Sequence, residues 1–155
     1  MIFQTKNETK EWAERLAACL RPGDVIRLDG DLGAGKTQLV QWVGQALSVD
    51  QEITSPTFSL VRSYRSDLGG INHLDLYRME DQEEVEELDV DVLFYPEEAI
   101  TFIEWADRAE DYLPADIIHL RIRPMGGEMR EISWLSETDR TKEIEAAIAD
   151  MEGDQ

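Results

Sequence analysis

The chain has 155 residues, of which 42% are hydrophobic and 32% charged, and its 34 acidic against 15 basic side chains give a formal net charge of -19. That balance describes a globular chain rather than a disordered one, and it argues against a direct grip on nucleic acid, which ordinarily needs a Lys/Arg surface. A basic protein partner suits such a surface better. The longest apolar runs, such as Ala99 to Ile103, fall far short of the ~20 residues of a membrane-spanning helix. The opening stretch MIFQTKNETKEW lacks the pattern of a secretion signal, and the single Cys19 has no partner for an internal disulfide. The expectation is one domain over residues 1–155, in the cytoplasm and away from membranes.

In chain order, Thr5 and Glu8 have capping-box spacing, and Trp12, Leu16 and Leu20 recur every four residues, which predicts an amphipathic helix from Glu8 to Leu20. RPGD (Arg21 to Asp24) ends it. VIRLDG is a short apolar strand that runs straight into the loop GDLGAGKT (Gly30 to Thr37), and Leu39, Val43 and Leu47 then lie at helical spacing. TFSLVRSY and INHLDLY read as two strands of a hairpin turned at DLGG (Asp67 to Gly70). The acidic stretch EDQEEVEELDVD predicts a short helix with Val85 and Leu88 as its thin apolar stripe. AITFIEW is an apolar strand, and ADRAEDYLP a helix stopped by Pro114. DIIHLRIRPMGGEMREISW is a second hairpin, turned at Met125, Gly126 and Gly127, and a polar helix from Thr138 to Met151 carries Ile144 and Ile148. Helices and strands alternate early and hairpins intrude later. The expected architecture is a three-layer α/β fold of the P-loop NTPase type around a mixed, largely parallel sheet.

The chemistry concentrates in the glycine loop. Gly30, Gly35, Lys36 and Thr37 satisfy the full G-x-x-x-x-G-K-[ST] pattern in the strand–loop–helix setting it requires. In such a loop the backbone of Asp31, Leu32, Gly33, Ala34 and Gly35 turns its N–H groups onto phosphate oxygens, Lys36 reaches the terminal phosphates and the Thr37 hydroxyl binds magnesium. The implied cofactors are ATP and Mg2+. Phosphate transfer also needs a carboxylate by the metal, and two acids end apolar strands on the ligand side of the sheet: Asp75 in INHLD and Glu104 in ITFIE. Glu104 is the favoured metal neighbour and Asp75 the favoured water-orienting acid, with the reverse assignment open. TSPTF (Thr54 to Phe58) places Thr57 where nucleotide switches sense the terminal phosphate, and it reads equally as a Pro-containing loop before a strand. Trp105 is either core or cover for the site.

Other features carry less. DLGG matches the D-x-x-G of GTP switches, but it lies at a hairpin tip and no N-K-x-D guanine motif occurs. His73 shares a strand face with Asp75, and His119 falls in a structural hairpin. Neither has a metal-ligand partner at useful spacing, so both read as core or surface residues.

The blocks LDGDLGAGKT, SPTFSLVRSY, HLDLYR and FIEWADRAEDYLP, in that order and spacing between Leu28 and Pro114, resemble the TsaE family, small bacterial P-loop ATPases of tRNA threonylcarbamoyladenosine modification. The resemblance implies a chain that binds ATP and magnesium and associates with the TsaB and TsaD pair. It would hydrolyse ATP well only in that assembly, supporting turnover at the adenosine next to the anticodon while others make the threonylcarbamoyl group and hold the tRNA. Carried over by position, Lys36 and Thr37 hold phosphate and magnesium, and Thr57 is the switch-like threonine. Asp75 and Arg78 fall in a second switch-like segment, and Glu104 with Trp105 forms the EW pair. Two positions depart from the pattern: Gln38 stands where many members have a second Thr, and Asp89 replaces a glycine after the acidic helix. The rival readings are a P-loop small-molecule kinase, a GTP switch and a non-catalytic nucleotide-binding module. A kinase would need an arginine-rich lid, for which Arg62, Arg65 and Arg78 are the nearby set.

Overall fold

The computed structural model describes residues 1–54 and 60–153. Thr5 caps the first helix, α1 (Lys6–Cys19), by accepting the Glu8 amide at 3.1 Å, while the Glu8 carboxylate reaches back to the Gln4 amide at 2.6 Å. This reciprocal pair satisfies donors that a helix start leaves unpaired. Ahead of α1, Ile2–Phe3 forms β1, a two-residue strand too short to show in the sequence pattern.

The remaining strands are β2 (Val25–Asp29), β3 (Val61–Ser66), β4 (Gly69–Asp75), β5 (Ala99–Glu104), β6 (Ile118–Pro124) and β7 (Arg130–Trp134). They form a seven-stranded sheet in the order β1-β7-β6-β2-β5-β4-β3. The central strands β6, β2, β5 and β4 run parallel, and antiparallel pairs flank them on both sides. The sheet is mixed as expected, with a parallel centre and antiparallel edges.

Alternate residues of the central strands serve two cores. Ile26, Leu28, Ile71, Phe102 and Leu120 face α1, α2 (Lys36–Ala46) and the C-terminal helix that runs Asp139–Gly153. Val25, Leu74 and Ile103 face the opposite layer, where Met79, Val85 and Phe94 close the other core. The near-continuous apolar run of β5 follows from burial on both faces, whereas β4, buried in the same way, carries the polar Asn72 and His73 in its middle.

The opposite layer is less helical than its sequence suggests. The acidic segment makes a 3₁₀ stretch over Gln82–Glu87 and then a single α-turn, α3 (Val90–Leu93), so the C-terminal helix is α4. Val85 is fully buried and Leu88 half-buried, which is too narrow an apolar stripe to hold a longer helix against the sheet. Asp89 has φ -79°, a value open to any residue, so no glycine is required there. The segment Ala106–Tyr112 is likewise 3₁₀, interrupted at Ala109 with φ -131°.

Candidate nucleotide-binding site

β2 delivers the glycine loop at its C-terminal end, and α2 begins at Lys36. Gly35 caps α2 with φ 108°, a left-handed conformation that favours glycine. At Gly30 space is the constraint: a Cβ there would lie 2.7 Å from the Ile122 carbonyl of β6. Between them Asp31, Leu32 and Gly33 are exposed, Leu32 at 69%, while Ala34 is buried and its amide donates to the Asp31 carbonyl at 3.0 Å. Arg130 of β7 donates from Nε to the Ala34 carbonyl at 3.1 Å and from Nη1 to the Gly127 carbonyl at 2.8 Å, tying the loop to the second hairpin.

Lys36 is buried at the head of α2. Its Nζ donates to the Gly30 carbonyl at 2.6 Å and stands 4.0 Å from the centroid of the Trp105 ring. Burial pushes the Lys36 ammonium below the usual lysine value, and the carboxylates of Glu104, Asp75, Asp29 and Asp31 only partly offset that. Trp105 follows the end of β5 with φ 59°, an uncommon backbone for a bulky residue. Its ring packs on Tyr77 with centroids 4.9 Å apart. Trp105 is thus a half-buried wall over Lys36, neither pure core nor free surface.

The two candidate acids end adjacent parallel strands, with Asp75 of β4 paired in register with Glu104 of β5. Their surroundings differ. Thr37 Oγ1 donates to Glu104 Oε2 at 3.0 Å, and His73 Nε2 lies 2.5 Å from that same oxygen. Asp75 is half-buried and its Oδ1 accepts the Tyr77 amide at 3.0 Å, closing the turn after β4. The structure therefore brings Lys36, Thr37, Glu104 and Trp105 together, with Asp75 alongside. Thr57 lies outside the described residues. Gln38, at the other departure, donates to Gln41 Oε1 at 3.0 Å along α2.

Two residues of this site were not legible as such. His73 carries only the period-2 link to Asp75, and Arg130 carries no local signal, since its contact spans the chain from β7 back to the loop. On the outer side of the loop a cleft of about 290 Å³ opens between α1, α2 and the second hairpin, lined by Thr9, Gly35, Trp42, Ile122 and Arg130 among others. On the inner side a second cavity of about 320 Å³ is lined by Gly30, Asp31, Lys36 and Trp105 together with Arg121 and Arg123. Among the described residues no cluster of three or more His, Cys, Asp or Glu could hold a metal ion, and no helix is long and apolar enough to cross a membrane.

The family model for threonylcarbamoyl adenosine biosynthesis protein TsaE matches residues 3–132. The chain belongs to the TsaE family. Family membership thus extends from β1 to β7, well beyond the blocks between Leu28 and Pro114. A relative from Bacillus subtilis, named tRNA threonylcarbamoyladenosine biosynthesis protein TsaE, is 37% identical over 133 residues, covering 86% of this chain and 82% of the relative. A protein of the same name from Aquifex aeolicus is 38% identical over 120 residues, covering 76% and 82%. The crystal structure of Bacillus subtilis YdiB superposes with a TM-score of 0.79 at 29% identity, covering 98% of this chain and 94% of that one.

Proposed function

We propose that this TsaE-family chain binds ATP with magnesium and hydrolyses it as a component of tRNA N6-threonylcarbamoyladenosine biosynthesis, in the cytoplasm and in assembly with TsaB and TsaD. The observation that carries the chemistry is the contact between Thr37 and Glu104. It joins the last residue of the glycine motif to the end of β5 across 67 positions of sequence. A hydroxyl and a carboxylate are hard oxygen donors suited to magnesium, which takes few protein ligands and fills its shell with phosphate oxygens and water. The fit is good.

In this reading the backbone N–H groups of residues 31–35 receive the phosphates, and Lys36 Nζ turns from the Gly30 carbonyl to the terminal phosphates. Its buried ammonium is a strong partner there, because little water competes for it. Thr37 and Glu104 would hold the magnesium ion, which would supply positive charge against the phosphate oxygens. Asp75, beside Glu104, orients the attacking water, and Thr57 senses the terminal phosphate. Trp105 covers the phosphate end. The nucleoside takes the outer cleft, whose floor includes Leu39, Trp42 and Ile122 and whose rim includes Lys6 and Arg130. The acidic surface suits docking to a protein partner, and the tRNA is held mainly by others.

The test is ATP hydrolysis by the purified chain, alone and with the TsaB and TsaD pair, with magnesium and with EDTA. Slow turnover that rises strongly with the pair and vanishes in EDTA is expected. Unchanged turnover in a verified complex would sink the assembly-driven reading and direct the search to phosphate acceptors of a small-molecule kinase.

A further inference from the structure

His73 has no place in the chemistry so far, and its surroundings ask for one. It lies in the middle of β4, in register with Phe102 of β5, two residues before Asp75 and diagonal to Glu104. It is fully buried, as its neighbours Ile71, Leu74 and Phe102 are. Nε2 meets Glu104, whereas Nδ1 is buried with no hydrogen-bond partner among the described residues. An apolar side chain would fill this place without leaving a polar atom unpaired. The imidazole therefore does something that packing does not.

The carboxylate it meets is itself only 3% exposed. A carboxylate so far from water needs donors, and those on Oε2 are Thr37 Oγ1 and His73 Nε2. One of the two is conditional: under the nucleotide reading, Thr37 turns its oxygen to the metal. His73 then remains as the donor that keeps Glu104 in place. The tautomer that serves this carries its proton on Nε2. The alternative, with the proton on Nδ1, would face a ring lone pair to the carboxylate and bury an unpaired N–H.

We propose that His73 is a positioning residue that holds the Glu104 carboxylate, through Nε2–H, in the orientation that meets Thr37 and the magnesium ion. The inference rests on the nucleotide reading above. Groups that orient a metal-binding carboxylate typically change metal affinity or activity by about 10- to 100-fold when removed.

Three substitutions separate orientation from shape. His73→Gln places an amide nitrogen where Nε2 lies, His73→Asn places it where Nδ1 lies, and His73→Phe keeps a ring without a donor. Each full-length variant is titrated with a non-hydrolysable ATP analogue, first in EDTA and then in magnesium, and the gain in affinity on adding magnesium is the readout. Hydrolysis with TsaB and TsaD gives kcat and KM in parallel. His73→Phe and His73→Asn are expected to bind the analogue in EDTA as the native chain does. They should lose about tenfold or more of the magnesium gain, with KM for the magnesium nucleotide rising in step and kcat falling as well. His73→Gln should recover most of both.

A native-like magnesium gain in His73→Phe would overturn the proposal, and so would equal losses in all three variants, which would mark a packing role. If His73→Phe does not fold, the contrast between Gln and Asn decides the same point. Combining a His73 substitution with Glu104→Gln should add no further loss of the magnesium gain, and an additive loss would also count against it. A native chain that fails to bind the analogue even in EDTA would instead bring down the nucleotide reading. The two failures are thus distinguishable.

Discussion

Two acid–histidine pairs face opposite sides of the same sheet. Glu104 and His73 meet at 2.5 Å on the α2 side of β5 and β4, while Asp29 and His119 meet at 2.6 Å on the other side of β2 and β6. The contact is chemically the same, yet the surroundings assign different work. The Glu104 pair is sealed from solvent at 4% and 0% side-chain exposure, and its other contact is the hydroxyl of Thr37. The Asp29 pair is 30% and 20% exposed, and Asp29 also accepts from Arg27 Nε at 3.1 Å, which in turn reaches Glu110. Asp29 is already matched by a permanent cation. Glu104 makes no ion pair with an Arg or Lys among the described residues, although the Lys36 ammonium lies near enough to feel its charge. An acid at a strand end becomes a candidate for catalysis through what neutralises it, not through its position alone.

Isosteric neutralisation of each acid is the direct way to break this contrast. Glu104→Gln should lower hydrolysis in the presence of TsaB and TsaD by about a hundredfold or more while ATP binding persists. Phosphate-release assays that show native turnover would remove Glu104 from the chemistry. Lys36 feels both acids, and Lys36→Ala should weaken ATP binding by roughly 10- to 100-fold, the worth of a charged hydrogen bond. Native affinity by calorimetry would count against the whole site. Asp29→Asn should leave turnover close to native and cost about 1–2 kcal/mol of stability, measured by urea denaturation. A large loss of activity there would erase the distinction between the pairs.

The smallest effect concerns pH. Burial pushes the Asp29 carboxyl up, but His119 and Arg27 together outweigh it and hold the group below the usual aspartate value. A depressed carboxyl stabilises the fold above its unfolded pKa of about 3.9 and loses that contribution as pH falls through the folded value. The stability gap between the native chain and Asp29→Asn should therefore hold from neutral pH down to about 4 and shrink below it. A gap that does not shrink in denaturation curves at lower pH would show that the lost contact is not electrostatic.

Much of this was legible because it is local. The capping pair Thr5 and Glu8, the glycine motif and the apolar strands ending at Asp75 and Glu104 each involve neighbours within a few residues, where periodicity and turn chemistry act. The acidic segment was less so: its composition permits a helix, and its thin apolar stripe yields 3₁₀ turns once packed over β4 and β5. Arg130 and β1 were out of reach, since the hydrogen bond from Arg130 to Ala34 closes across 96 positions.

Residue order alone was enough to specify a phosphate loop between a strand and a helix, and to nominate two acids. It favoured Glu104 as the metal neighbour but could not show what surrounds either acid. Those surroundings come from the parallel pairing of β2, β5 and β4, which sets Leu28 beside Glu104 and Glu104 beside Asp75. The same pairing carries Glu104 under the first turn of α2 with His73 diagonal to it. Strand pairing joins residues far apart in the chain, and the two-residue repeat of a strand decides which side chains share a face; together they determine which oxygen meets which donor.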